Sequence, residues 1–185
     1  STATRRPAAF NGRELSTIAW SFATLRDGFR RREDRWAFFE ALSDAALRGN
    51  VLDDFNAREL SQFAWAFAKG APADAPWTKR LFAVLAAVFV DKLKDHRARR
   101  HQRGGGDLHH RDSQQIFRRD GRNDVDVVGD DDFSMQALSN MVWSFAKVRA
   151  AAVAKDLFDL VADEVETRLK ETVRAATAQD LSNTV

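Results

Sequence analysis

The chain has 185 residues, of which 44% are hydrophobic and 30% charged, with a formal net charge of +2 and a pI near 9.2. That is chain enough for one ordinary domain or a few units of a repeat array, and the charge leans only gently towards an anionic partner. The absence of Cys excludes disulfides, a thiolate nucleophile and Cys-based zinc sites, and no uncharged apolar run of about 18 residues exists to span a membrane.

Ala, Leu, Arg, Lys and Glu favour helix, while Ile is scarce and Tyr absent, so an all-α fold is expected. Ser1–Phe10 shows no secretory or transit pattern. The first helix is written FNGRELSTIAWSFAT. Asn11 is a good N-cap, and Glu14 stands three places on, where a capping-box acid belongs. Leu15, Ile18, Ala19, Phe22 and Ala23 form an apolar stripe ending near Leu25, with Trp20 at its edge. An arc widened in this way predicts a helix with neighbours on two sides. A second helical pattern follows over Arg32–Gly49, with Trp36, Phe39, Ala41, Leu42 and Leu47 on one side.

The chain then repeats itself as FNARELSQFAWAFAK, with Asn56 and Glu59 as the cap and Leu60, Phe63, Ala64, Phe67 and Ala68 as the stripe, to about Lys69. APADAP links it to PWTKRLFAVLAAVFVDKLK, in which Pro76 suits a first helical turn. Residues from about Asp95 to Asp132 switch from Arg-rich to Asp-rich around a Gly triplet and lack apolar periodicity, so an inserted, poorly ordered loop is expected there. A third copy, FSMQALSNMVWSFAK, begins at Phe133 with Ser134 as cap, lacks the acid (Ala137 is in its place), and runs to about Val148. Its second helix carries Leu157, Leu160, Val161, Val165 and Leu169 on one face. A fourth copy, ATAQDLSNTV, starts at Ala176 with Thr177 and Asp180 in the cap positions and stops at Val185, which reads as a piece of a longer protein.

Copies starting at residues 10, 55, 133 and 176 are 45, 78 and 43 residues apart, the middle interval being one period plus the insertion. One helix pair cannot bury both faces alone, so the expected architecture is an α-solenoid of stacked helix pairs. The division expected is one unit, 1–185, with repeats at about 10–54, 55–132 (inserted loop about 95–132) and 133–175, and a truncated repeat at 176–185.

The positions opposite the apolar arc are Arg13, Thr17, Ser21 and Thr24; Arg58, Gln62, Ala66 and Lys69; Gln136, Asn140, Ser144 and Lys147; and Gln179 and Asn183. Arg, Gln, Asn, Thr and Ser are types that read base edges, and proteins that take one base per repeat use two or three such side chains for it. A solvated helix face also carries polar residues, but Glu, the commonest of them, is missing from this stripe. Lys69 and Lys147 suit either phosphate or the negative end of the helix dipole. Trp20, Trp65 and Trp143 admit two readings: packing between repeats, which a recurring register favours, and base stacking. Ser16, Ser61, Ser139 and Ser182 fall inside the apolar arc and are expected to bond back to the preceding turn.

All four His (His96, His101, His109 and His110) fall in the expected loop, and their spacing matches no metal-binding pattern. The Arg residues of that segment, Arg97 and Arg100 among them, offer phosphate attraction without sequence preference. Arg30–Arg32 and Arg35 open a second helix, an unfavourable place for cations that invites a phosphate or an acidic partner. No paired carboxylates in an apolar setting and no phosphate loop are present, so the expectation is neither an enzyme nor a cofactor or metal binder.

The phrase LS-x-x-A-W-x-F-A, led by F-N-x-x-E, resembles the octotricopeptide-repeat family of helical-repeat proteins from algal and protist organelles. Leu15, Ser16, Ala19, Trp20, Phe22 and Ala23 carry the likeness, as do Leu60, Ser61, Ala64, Trp65, Phe67 and Ala68. The third copy has Leu138, Ser139, Trp143, Phe145 and Ala146, with Val142 for the family's Ala. The resemblance covers most of the chain outside the insertion, though the second helices match loosely and the period is longer than the family's. It implies an α-solenoid in a chloroplast or mitochondrion that binds single-stranded RNA in its maturation, stability or translation. A structural or protein-interaction subunit of an organellar ribonucleoprotein, such as a ribosome, is the alternative it implies.

Overall fold

The computed structural model describes residues 10–25, 29–48, 51–104 and 133–182. Among them are six α-helices and no strand: α1 (Gly12–Thr24), α2 (Arg32–Leu47), α3 (Ala57–Gly70), α4 (Pro76–Gly104), α5 (Met135–Lys147) and α6 (Lys155–Ser182). Short 3-10 turns at Val51–Asp54 and Ala151–Val153 join α2 to α3 and α5 to α6. The all-α expectation therefore holds.

The caps form as the sequence dictates. Asn11 Oδ1 accepts from Glu14 N at 2.9 Å while Asn11 N donates to Glu14 Oε2 at 2.9 Å. The Asn56–Glu59 box is its copy, at 2.8 and 3.0 Å. In α5 only half of the motif is possible, and Ser134 Oγ accepts from Ala137 N at 3.2 Å. α5 ends with Arg149 at φ 56°, and Ala150 N reaches back to Phe145 O at 3.0 Å, a left-handed cap made without glycine.

Helices written alike lie side by side. α1 packs on α3 and α3 on α5, while α2 packs on α4 and α4 on α6. The wide apolar arc of α3 is thus matched by a neighbour on each side. Phe39, Phe55, Phe63, Phe67, Phe82, Phe89, Phe133 and Phe145 are fully buried between the helices, each contributing about 1.5–3 kcal/mol. Two approaches are close enough to require glycine. A Cβ on Gly12 would lie 2.6 Å from the Phe55 ring, and one on Gly70 would lie 2.1 Å from Phe39 Cζ.

Two boundaries differ from expectation. The segment starting at Asp95 is helical to Gly104, as a continuation of α4; the rest of the expected loop, 105–132, lies outside the described residues. The physical reason is a polar face that hydropathy cannot reveal. Leu93, His96, Arg97 and Arg100 follow one another at i, i+3, i+4 and i+7. Leu93 and His96 are buried, and the His96 ring sits 5.1 Å from that of Phe133. Arg100 Nη1 pairs with Glu164 at 2.9 Å and Arg97 Nε lies 3.6 Å from the same carboxylate. These three residues therefore do not belong to a solvated loop. The expected new helix start at Thr177 is also absent, because α6 runs unbroken to Ser182. Its sequence there, KETVRAATAQDLS, contains no Gly or Pro to end it.

Candidate nucleic-acid interface

The side-by-side arrangement decides which positions of α1, α3 and α5 remain open. Ser21, Ala66 and Ser144 are equivalent: Ser21 is exposed, whereas Ala66 and Ser144 are both 0% exposed. The opposite pattern holds for Ser16, Ser61 and Ser139, of which only Ser139 is exposed. Each helix thus turns the first set towards the helix before it and the second towards the helix after it. α1 has no such neighbour before it among the described residues, and α5 has none after it.

Ser144 is accordingly removed from the expected stripe. Its hydroxyl donates to Asn140 O, and the residue is fully buried on the side of the contact with α3. Ser16 and Ser61 do bond back to the preceding turn, to Arg13 O at 3.1 Å and Arg58 O at 2.9 Å.

The place given to Ser21, Ala66 and Ser144 belongs to the tryptophans. Trp20 is 44% exposed and Trp143 42% exposed, and Trp65 is half-buried. Trp20 and Trp143 are therefore surface residues and not the inter-repeat core favoured by their register, whereas Trp65 packs in part against the core. Arg13, Thr17, Trp20 and Thr24 fall at i, i+4, i+7 and i+11, as do Arg58, Gln62, Trp65 and Lys69, and Gln136, Asn140, Trp143 and Lys147. At about 100° per residue, i+7 returns to within about 20° of i, while i+8 lies about 80° away. The stripe expected from the sequence takes i+8 where the helical angle puts i+7, and so holds Ser21, Ala66 and Ser144 in place of the tryptophans.

Along these three lines every polar residue is exposed except Gln62 and Asn140, which are half-buried. Trp65 and Trp143 face each other across α3 and α5, with ring centroids 6.4 Å apart and planes inclined by 33°. Lys69 Nζ lies over the Trp65 ring at 5.1 Å. Gln136 Nε2 donates to Asn140 Oδ1 at 2.8 Å, which fixes the Asn140 amide. On α1 two of the hydroxyls are spent locally: Ser21 Oγ donates to Thr17 O at 2.8 Å and Thr24 Oγ1 to Ser21 O at 2.9 Å. Arg13, Arg58, Lys69 and Lys147 form no ion pair among the described residues. The face therefore combines exposed aromatic rings, amides and uncompensated cations. Of Gln179 only the backbone, within α6, is described, and Asn183 lies outside the described residues.

Among the described residues no group of three His, Asp or Glu side chains is placed to hold a metal ion, and no helix is long and apolar enough to cross a membrane. Comparison with family models, with curated proteins and with solved structures finds no match to this chain.

Proposed function

We propose that this chain is a segment of an α-solenoid, similar to octotricopeptide repeats, that binds single-stranded RNA along the outer face of α1, α3 and α5. The observation that carries the reading is the Trp at one register of all three helices, exposed in α1 and α5 and half-buried in α3, and flanked by Arg, Gln, Asn and Lys in the same stripe. The two rows of neighbouring helices support the solenoid, since each copy adds one helix to each row.

Unpaired bases stack on exposed aromatic rings, at about 1–3 kcal/mol per base, whatever their identity. Gln62 and Asn140 are the residues in a position to discriminate, because an amide presents both a donor and an acceptor to a base edge. Arg13, Arg58, Lys69 and Lys147 meet the backbone. An organellar setting and a role in RNA maturation or translation follow from the resemblance alone.

Selection of bound RNAs from a random pool tests this directly. A short recurrent motif is expected, and Gln62→Ala with Asn140→Ala should relax or change it while helix content stays intact. Recovery of no RNA, or an unaltered preference in the double variant, would count against the reading. Salt separates the protein-interaction alternative: RNA affinity falls steeply as salt rises, whereas docking of an apolar peptide on the tryptophans does not.

A further inference from the structure

The arginines that open α2 have no part in the tryptophan face, yet they converge elsewhere. Arg32, Arg35 and Lys69 line a cleft of about 390 Å³ together with Trp36 and the turn from Gly70 to Asp74. Asp74 is the one acid in it, and none of the three cations forms an ion pair among the described residues. Arg35 donates one Nη2 bond to Lys69 O at 3.1 Å, while its Nε is buried without a hydrogen-bond partner. The Arg32 guanidinium lies 4.9 Å over the Trp36 ring, which holds it at the cleft mouth. Like charges gathered in a small cleft repel, and a buried N–H without an acceptor is costly. An oxyanion relieves the repulsion, and guanidinium forks match phosphate geometry.

Lys69 connects this cleft to the proposed RNA face, since its Nζ also lies over Trp65. We propose that the cleft holds a backbone phosphate of the same RNA strand, anchoring it beside the tryptophan row. The inference rests on the RNA reading. Trp36 is here a positioning residue for Arg32 and not a stacking platform.

The test compares the wild type, Arg32→Gln, Arg32→Lys and the Arg32→Gln/Arg35→Gln pair for binding of a short single-stranded RNA of mixed sequence, over about 50 to 200 mM salt. Loss of one phosphate contact should flatten the slope of log K against log salt by about 0.7, so that the fourfold rise in salt costs the paired variant roughly 2.6-fold less affinity than it costs the wild type. Arg32→Gln alone, at an exposed position, should flatten it in part with the melting temperature unchanged, and Arg32→Lys should keep the wild-type slope. An unchanged slope in a folded Arg32→Gln chain and in the pair overturns the proposal. So does a cleft that inorganic phosphate or a glutamate-rich peptide fills, seen as a shift of the Trp36 indole resonance, while the RNA slope stays the same. A wild type that binds RNA with a slope indifferent to both arginines refutes the cleft and spares the tryptophan face. A wild type that binds no RNA refutes both.

Discussion

Replacing Glu164 by Ala removes the carboxylate on which the C-terminal part of α4, the middle of α6 and the entry to α5 meet. The Glu164 side chain is 2% exposed and lies 2.7 Å from Arg168 Nε, 2.9 Å from Arg100 Nη1 and 3.6 Å from Arg97 Nε. Arg168 in turn donates to Phe133 O at 2.7 Å, tying the entry to α5 into the cluster. Breaking a buried charge pair from one side costs about 3–5 kcal/mol. Here the guanidiniums keep partial access to water, at 15%, 27% and 38% side-chain exposure for Arg168, Arg97 and Arg100, and Arg100 retains Glu171 at 2.8 Å. The loss is therefore placed at the low end, about 3 kcal/mol. For a chain of this size that corresponds to a fall of roughly 6–12 °C in melting temperature. Thermal and urea unfolding followed by circular dichroism measure it, and Glu164→Gln, which keeps an acceptor without the charge, should fall between the two. A loss below about 1 kcal/mol would mean that the cluster behaves as an ordinary exposed ion pair, and the account of why α4 extends past Asp95 would be wrong.

Gly70→Ala drives a methyl group into the Phe39 ring, to within 2.1 Å of Cζ, and should cost about 1–3 kcal/mol in urea unfolding; a neutral result contradicts the close approach of α2 to α3. Asn56→Ala deletes one half of a capping box and should lower stability by about 1 kcal/mol by the same assay. Arg149→Gly relieves a left-handed residue and should raise stability by about 0.5–1 kcal/mol, the conformational relief being partly offset by glycine's freedom in the unfolded chain.

Much of this architecture is legible in the sequence because caps and stripes are local signals. Asn11, Asn56 and Ser134 mark helix starts to the residue, and the stripe around Phe63 and Phe67 foretells a helix flanked on both sides. What was not legible has two physical causes. Pattern reading counts apolar residues, so the face Leu93, His96, Arg97 and Arg100, which is buried through charge pairing and a ring contact, looks like loop. Exposure also depends on neighbours that no single helix encodes. Ser21 and Ser144 are the same residue in the same phrase, yet one is open and the other fully buried, because only the second has a helix packed before it. Of the expected stripe, Arg58, Gln62, Lys69, Gln136, Asn140 and Lys147 share one face with the tryptophans, whereas Ser144 is buried against α3.

Trp143→Ala is the sharpest single test, because this ring is 42% exposed and touches Trp65 without filling the core. RNA affinity and melting temperature should be measured on the same preparation. The account predicts an affinity loss of roughly 5- to 150-fold, the worth of one stacked base, at a nearly unchanged melting temperature. A chain that melts earlier and binds RNA as before would contradict it, returning Trp143 to packing and leaving the face without its function.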